Sequence, residues 1–235
     1  MRAGARFPGI PAPTRRAFLE RLLRWLAFIA AVSVIFVTLA GRWDVPELWG
    51  LVGILAAFGF VGLLFSDPSL ARERFRPPER GADPLALLVI RLAGFSMVVV
   101  AVLDVGRFGW SGRVPAFVQV LGFAAVIAGM AIVAWAMAMN PFFSTVIRIQ
   151  EDRGHHVITR GPYQWVRHPG YLGMIIAIPA IPFALGSWWA VAPGLVYAIA
   201  IICRVIVEDR YLHQHLPRYA EYSHQVPHRL VPGTW

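Results

Sequence analysis

The chain alternates between long apolar runs and short polar connections, and four of the runs have the length of a membrane span. A helix needs about 20 apolar residues to cross the ~30 Å hydrocarbon core of a bilayer. The four runs cover roughly Phe18–Ala40, Glu47–Phe65, Pro84–Val105 and Pro115–Met139. Each of them therefore predicts a transmembrane helix.

Two further apolar runs follow a polar segment. Tyr171–Leu185 is short and contains Pro179 and Pro182, whereas Trp188–Val207 follows the tight turn "GSWW". A proline inside a helix removes a backbone hydrogen bond and bends the helix. The two runs predict a helical hairpin with a kinked first arm. The whole chain is then an all-α polytopic membrane protein with about six transmembrane helices.

The composition agrees with a membrane protein. Of the 235 residues, 57% are hydrophobic and 15% charged, against about 25% charged in soluble domains. All 22 basic residues are Arg, and the formal charge is +9. A basic excess can indicate nucleic-acid binding. Here the arginines cluster at the edges of the apolar runs, which favours membrane topology and anionic headgroups and predicts no nucleic-acid partner.

The distribution of the arginines predicts the orientation. The segments before the first span, after the second, after the fourth and after the sixth are rich in Arg: Arg15, Arg16, Arg21 and Arg24; Arg72, Arg74, Arg76 and Arg80; Arg148, Arg153, Arg160 and Arg167; Arg210, Arg218 and Arg229. The other connections carry only Arg42, Arg107 and Arg113. The positive-inside rule puts both termini, the connection after the second span and the Asn140–Pro169 segment in the cytoplasm. In a bacterium the membrane would be the inner membrane. We expect the first apolar run to be retained as a helix and not cleaved as a signal peptide.

Ionisable residues concentrate in Ile147–Tyr171 and Arg204–Arg229, on either side of the hairpin. Because the hairpin leaves one segment and returns to the other, both should meet at the cytoplasmic face. Arg204 lies inside an apolar run, where a cation usually faces a cavity or a partner. A guanidinium there suits a carboxylate or a phosphate. The alternative is an Arg that extends to the lipid headgroups, with Glu208, four residues later, as its ion-pair partner.

The stretch "GPYQWVRHPGY" (161–171) is dense in aromatic and cationic residues. His168 precedes a proline, which predicts extended backbone there and a helix that begins near Pro169. The free N–H groups of that first turn favour a negative group. Tyr163 and Tyr171 suit stacking on a flat or cationic ligand. Trp165 is interpreted as an aromatic residue at the membrane interface. For Arg167 the sequence leaves two partners open, a lipid headgroup or a bound ligand.

Histidines also raise the question of a metal. His155, His156 and His168 are near one another in sequence, and His224 and His228 form an HxxxH pattern. Pro227 interrupts any helix that would align that pair, and the chain contains no HxxHH. The sequence therefore predicts no metal site.

Three motifs carry a family resemblance: "HHVITRGPYQWVRHPGYLG" (155–173), "RVIVEDRYL" (204–212) and "RYAEYSHQVPHRLVPG" (218–233). In this order, around an apolar hairpin, they resemble the isoprenylcysteine carboxyl methyltransferase family, to which phospholipid N-methyltransferases are related. The resemblance covers about the last ninety residues. It implies S-adenosylmethionine as methyl donor. It also implies membrane helices in residues 1–140 and a catalytic region, with a cytoplasmic cofactor site, in residues 141–235.

The resemblance also implies roles for single residues. Arg204 would hold the carboxylate of the acceptor, and with Glu208 it forms the predicted catalytic pair. Asp209 stands where the family commonly has a second glutamate, and no role is predicted for it. The residues expected around the cofactor are Gln150, His155, Val157, Ile158, Tyr163, His168, Pro169, Gly170, Tyr171 and Glu208.

The predicted function is methylation of a carboxylate on a lipophilic, prenylcysteine-like acceptor that enters from the bilayer. A second possibility is N-methylation of a phospholipid amine, for which His168 or Glu208 would have to serve as base. A third is a membrane reductase of related fold, with Arg160, Arg167 and Arg210 around the phosphates of NADPH. A transporter or scaffold is the fourth, although transporters bury charge near mid-span and this chain concentrates it at one face.

Overall fold

The computed structural model describes residues 15–65 and 81–235, and neither range contains a strand. Its helices are α1 (Arg15–Ala40), α2 (Pro46–Phe65), α3 (Pro84–Leu103), α4 (Ala116–Met139), α5 (Pro169–Ala177), α6 (Ile181–Leu185), α7 (Val191–His215) and α8 (Tyr219–Gln225). A π-helical turn, Asp104–Phe108, continues α3. Five helices, α1 to α4 and α7, are long and apolar enough to cross a membrane. The protein is therefore an integral, multi-pass membrane protein, as predicted, although five of its described helices have spanning length and not about six.

The predicted hairpin is present, with two differences. Its first arm is two short helices, α5 and α6, separated by a turn at residues 178–180 that contains Pro179. Pro182 lies in the first turn of α6, where a missing N–H costs nothing. The second arm does not end at Val207 as predicted, because α7 continues to His215. The apolar pattern ends at Val207, whereas the helix continues through the more polar residues 208–215.

Glycines on α4 allow the hairpin to pack closely against it. A Cβ atom on Gly129 would lie 2.5 Å from the carbonyl oxygen of Gly173 on α5, and one on Gly122 would clash with the backbone at Ala184 on α6. Small residues permit this kind of backbone contact between membrane helices. The contact holds the start of α5, and with it the "HPGY" motif, in a fixed place.

Helix α3 packs against α7 through an apolar cluster. Ile90 and Ala93 on α3 meet Tyr197 and Ile201 on α7, and all four are buried. This packing places the start of α3 beside the polar end of α7. Asp83, the residue before α3, therefore lies next to Arg204.

The opposite end of the bundle is closed by hydrogen bonds between connections. The buried carboxylate of Asp104 accepts bonds from the hydroxyl of Ser187, at 2.6 Å, and from both the hydroxyl and the backbone N–H of Ser111. Arg107 donates to the carbonyl of Thr38 at 3.0 Å. The second connection, with its predicted cytoplasmic arginines, and the N-terminal segment before Arg15 lie outside the described residues.

Candidate active site

A cleft opens at the end of the bundle where the loop after α4, the start of α5, the end of α7 and α8 meet. It encloses about 860 Å³, a volume that includes the open mouth of the cleft. Its walls come from residues 140–174 and 208–222. The hairpin therefore does bring the two polar segments to one place.

Most of the predicted cofactor residues line this cleft: His155, Val157, Ile158, Tyr163, His168, Gly170, Tyr171 and Glu208. Three predicted site residues do not, namely Gln150, Pro169 and Arg204. Gln150 is fully buried and its side-chain amide donates to the carbonyl of Phe142 at 2.7 Å. Pro169 is also buried and begins α5. These two residues shape the walls of the cleft, and their predicted contact with a cofactor stays a prediction.

His155 is held as an acceptor inside the wall. Its Nδ1 lies 3.3 Å from the backbone N–H of Gln150, which donates to it, and its ring lies 4.5 Å from that of Phe142. Burial, followed by the neighbouring His156 and the positive charges of Arg148 and Arg153, lowers the pKa of His155 to about 4. His155 is therefore neutral at physiological pH.

This neutral histidine predicts a loss of stability in mild acid. The pKa of His155 is below that of an unfolded histidine, so the unfolded chain binds the extra proton as the pH falls from about 6.5 toward 4. Between pH 7 and pH 5 the wild type should lose about 2 kcal/mol more than His155→Asn, whose amide oxygen still accepts from Gln150. Thermal unfolding in detergent at the two pH values measures the difference. Replacing His224, an exposed histidine of α8 that does not act on His155, by Asn should leave the drop at its wild-type size.

Tyr171 connects the two residues of the predicted catalytic pair. Its hydroxyl donates to a carboxylate oxygen of Glu208 at 2.6 Å and accepts from Nε of Arg204 at 2.9 Å. Glu208 lines the cleft, while Arg204 lies behind Tyr171 and is 3% exposed. An anionic group at the cleft and a cationic group behind it are thus joined through one phenol.

Arg204 makes its other contacts with protein groups that the sequence analysis did not identify. Its Nη2 donates to the carbonyl of Thr145 at 2.7 Å. Its Nε lies 3.4 Å from Oδ2 of Asp83, with which it forms an ion pair. Arg204 therefore does not extend to the headgroups, and Tyr171 stands between it and Glu208. No sequence pattern connects Asp83 to Arg204, because only the packing of α3 on α7 makes them neighbours.

Asp209, for which no role was predicted, lies at the centre of a buried polar cluster. Its carboxylate accepts from Nε and Nη2 of Arg167 at 2.8 and 3.0 Å, and from Nε of Arg229 at 2.9 Å. The hydroxyl of Tyr219 donates to it at 2.9 Å, and Nε2 of His168 lies 3.2 Å away. Asp209 thus ties the loop, α7 and the C-terminal tail together. The guanidinium of Arg167 is buried and directed at Asp209, so this residue does not extend to lipid headgroups or to solvent.

The tail adds aromatic residues to the cleft. Tyr222 donates to the backbone carbonyl of Tyr163 at 2.6 Å, and both Tyr219 and Tyr222 line the wall. Burial and the nearby negative charge of Asp209 raise the pKa of Tyr219, so that its hydroxyl stays a donor. Trp165 lies outside the cleft, 51% exposed, against the edge of Trp135. The motif in the tail (218–233) indicated only a family resemblance, and its tyrosines were not predicted as site residues.

The loop after α4 contributes Phe142, Phe143 and Arg148, which were also missed. The guanidinium of Arg148 is nearly buried and pairs with the exposed Asp152 at 3.1 Å. Within residues 15–65 and 81–235, no three His, Cys, Asp or Glu side chains converge in a way that would hold a metal ion. The cleft is therefore lined by aromatic faces, one carboxylate, Glu208, and two arginines, Arg148 and Arg167.

Comparison with known proteins identifies the part of the chain that builds this cleft. Residues 120–214 match the family described as isoprenylcysteine carboxyl methyltransferase (ICMT). Residues 120–214 are therefore similar to the ICMT family. The match covers α4 to α7 and all of the cleft except its α8 wall, and it confirms the resemblance seen in the sequence.

Part of the chain is also similar to proteins that are named as isoprenylcysteine methyltransferases. Protein-S-isoprenylcysteine O-methyltransferase B of Arabidopsis thaliana is 33% identical over 97 residues, which are 36% of this chain and 44% of the relative. A probable protein-S-isoprenylcysteine O-methyltransferase of Oryza sativa subsp. indica is 34% identical over 113 residues, 47% of this chain and 59% of the relative. The Saccharomyces cerevisiae protein-S-isoprenylcysteine O-methyltransferase is 29% identical over 122 residues, 46% of each chain. The matched region thus spans about half the length of these ICMT relatives.

Proposed function

We propose that this protein is an integral membrane methyltransferase that transfers a methyl group from S-adenosylmethionine to the carboxylate of a lipophilic acceptor. The observation that carries the proposal is the row formed by Glu208, Tyr171 and Arg204, which runs from the open cleft to a buried cation. A cationic donor fits the Glu208 end, and an anionic acceptor fits the Arg204 end. The ICMT family match of this region supports the same chemistry.

The residues of the cleft suit S-adenosylmethionine. A sulfonium is cationic, and the cleft offers it the carboxylate of Glu208 and the rings of Tyr171 and Phe143. The cofactor supplies an electrophilic methyl group when it is bound. Val157, Ile158 and Tyr163 line the wall where a flat, partly apolar group can lie. His155, being neutral, adds no positive charge that would repel the sulfonium.

The proposed reaction needs positioning more than proton transfer. An acceptor carboxylate is ionised at neutral pH, so one of its oxygens can attack the methyl carbon directly. The new O–CH₃ bond forms as the C–S bond breaks, and the bonding electrons return to sulfur, which becomes a neutral thioether. Arg204 would orient the carboxylate, and the buried surroundings would exclude water. Orientation of this kind contributes up to about 7–11 kcal/mol to catalysis.

The placement of Arg167 favours a methyltransferase over the NADPH reductase. A reductase would need Arg160, Arg167 and Arg210 around the phosphates of the nucleotide. Arg167 is instead engaged with Asp209 and with the carbonyl of Val226, at 2.8 Å, inside the protein. Each of its three guanidinium nitrogens thus already donates to a protein oxygen, which disfavours a role in binding phosphate.

The distribution of charge supports the proposed orientation and division of the chain. Arg148, Arg153, Arg160 and Arg167 lie on the cleft side, whereas Arg107 lies at the opposite end. We therefore place the cleft and the C-terminus in the cytoplasm. The cleft lining begins at Asn140 and ends at Tyr222, which supports a catalytic region in residues 141–235.

Two measurements test the proposed function. Calorimetry of the detergent-purified protein should show binding of S-adenosylmethionine and none of NADPH; the reverse would contradict the methyltransferase. The protein should then transfer labelled methyl groups from S-adenosylmethionine into a lipid extract. Release of the label by mild base indicates a methyl ester, as we expect. Label that resists base indicates an N-methyl product and would assign the protein to the amine methyltransferases.

A further inference from the structure

Another cavity opens at the end of the bundle opposite the cleft. It encloses about 780 Å³, a volume that includes its open mouth. Its walls come from the first turn of α2, the π-helical turn, the start of α4 and the turn after α6. Among the described residues, none lines both this cavity and the cleft. A ligand bound here is therefore distinct from the methyl donor and from the acceptor.

The walls of this cavity are held in place by the buried carboxylate of Asp104, where the π-helical turn begins. Ser111, in the connection before α4, and Ser187, after α6, both donate to it. Gly186 has the left-handed φ of 83°, and a Cβ atom there would lie 2.5 Å from Nε2 of Gln119. Glycine suits this turn, and it leaves room for the Gln119 amide in the cavity wall. The cavity is thus a built part of the fold.

Two opposite charges line the cavity without neutralising each other. Glu47 is half-buried in the first turn of α2, and Arg113 is exposed in the connection before α4. Within residues 15–65 and 81–235, neither side chain forms an ion pair or a hydrogen bond, and the side-chain amide of Gln119 forms none either. An anion and a cation that face one space without pairing match a ligand that carries both charges.

Aromatic residues indicate where this cavity lies in the membrane. Trp is enriched at the interface between the bilayer and water. Six exposed aromatic side chains lie within four positions in the sequence of a residue that lines the cavity: Trp43, Trp49, Phe108, Trp110, Trp188 and Trp189. The cavity therefore lies at the level of the lipid headgroups, in the leaflet opposite the cleft.

We propose that this cavity binds the headgroup of phosphatidylethanolamine, a zwitterionic phospholipid. The ammonium group would donate to the carboxylate of Glu47 and to the amide oxygen of Gln119, and the phosphate would contact the guanidinium of Arg113. The first turn of α4, which contributes Ala116 to the wall, adds N–H groups that favour a phosphate. The quaternary ammonium of phosphatidylcholine has no N–H to donate, so the site discriminates against it. The inference does not depend on the reaction proposed for the cleft.

Short-chain lipids that differ only in this ammonium group test the proposal. The detergent-purified full chain is titrated with dihexanoyl phosphatidylethanolamine or dihexanoyl phosphatidylcholine, and native mass spectrometry gives the Kd of each. The wild type should bind the first about tenfold or more tightly, because only its ammonium makes charge-assisted hydrogen bonds. Glu47→Gln, which keeps the size of the side chain, should reduce this preference to about threefold or less. Arg113→Gln should weaken both lipids by about tenfold and keep the preference.

Asp44→Asn is the matched control. Asp44 is an exposed aspartate that pairs with Arg42 and does not line the cavity, so both lipids should bind this variant with their wild-type Kd values. Equal Kd values for the two lipids in the wild type overturn the inference, as does an undiminished preference in Glu47→Gln. Free phosphoethanolamine that binds as tightly as the lipid overturns the assignment to the bilayer, because the ligand would then be a soluble zwitterion.

Discussion

Arg204→Ala should lower methyl transfer to a carboxylate acceptor by about 100-fold or more, while the Kd for S-adenosylmethionine changes by less than about threefold. Removal of one partner from a buried, hydrogen-bonded charge pair costs about 2–5 kcal/mol, and the cost falls on the group that the arginine holds. Arg204 does not line the cleft, and Tyr171 separates it from Glu208. The loss should therefore fall on the acceptor and not on the cofactor. Steady-state kinetics and calorimetry measure the two separately.

Arg204→Ala also lowers the stability of the folded protein, and the experiment must separate this effect from the loss of acceptor binding. Without Arg204, the carboxylate of Asp83 is buried with no positive partner, which destabilises the folded state. The double variant Arg204→Ala, Asp83→Asn removes that charge as well and should show the same loss of acceptor use. Arg204→Lys keeps the charge but not the planar fork, so it should recover only part of the activity.

Glu208→Gln is the matched contrast. The Glu208 carboxylate faces the cleft and accepts from Tyr171, and its neutral isostere should weaken S-adenosylmethionine binding by about tenfold, as expected for the loss of one charge-assisted contact. The KM for the acceptor should change less. If the Arg204 variants lose cofactor affinity as strongly as acceptor use, the separate roles given to Arg204 and Glu208 are wrong.

The membrane helices could be predicted from the sequence because the bilayer imposes a simple rule. Each spanning segment must be apolar and must satisfy its own backbone, so apolar runs and helices nearly coincide for α1 to α4. The rule does not apply beyond the bilayer. Helix α7 therefore continues past Val207, and its last turns carry Glu208, Asp209 and Leu212 into the site.

The site was predictable only where its residues occur in motifs. "GPYQWVRHPGY" indicated Tyr163, His168 and Tyr171, all of which line the cleft. The partners of Arg204 were not predictable, because Asp83 and Thr145 reach it from α3 and from the loop after α4. The role of Asp209 could not be predicted from the sequence either. A conservative change next to Glu208 indicates nothing about the arginines that converge on it from residues 167 and 229.

Asp209→Ala should destabilise the cleft end of the protein by about 3–5 kcal/mol, as expected when one partner of a buried ion pair is removed. The carboxylate serves Arg167, Arg229 and Tyr219 at once. Its loss leaves Arg167, which is buried, without a negative partner. The tail after α7 should then detach from the loop, while the spans remain folded in the bilayer.

Detachment of the tail should also abolish cofactor binding. Tyr219 and Tyr222 line the cleft from α8, where hydrogen bonds to Asp209 on α7 and to Tyr163 in the loop hold them. Limited proteolysis should cut the Asp209→Ala variant after α7 under conditions in which the wild type is intact, and calorimetry should show no S-adenosylmethionine binding. Glu221→Gln removes a carboxylate from the same tail, where it pairs with Arg218 at the surface, and should change neither result. A wild-type Kd in Asp209→Ala would contradict the role of this cluster, because the cofactor wall would then stand without the ion pairs that connect it to α7.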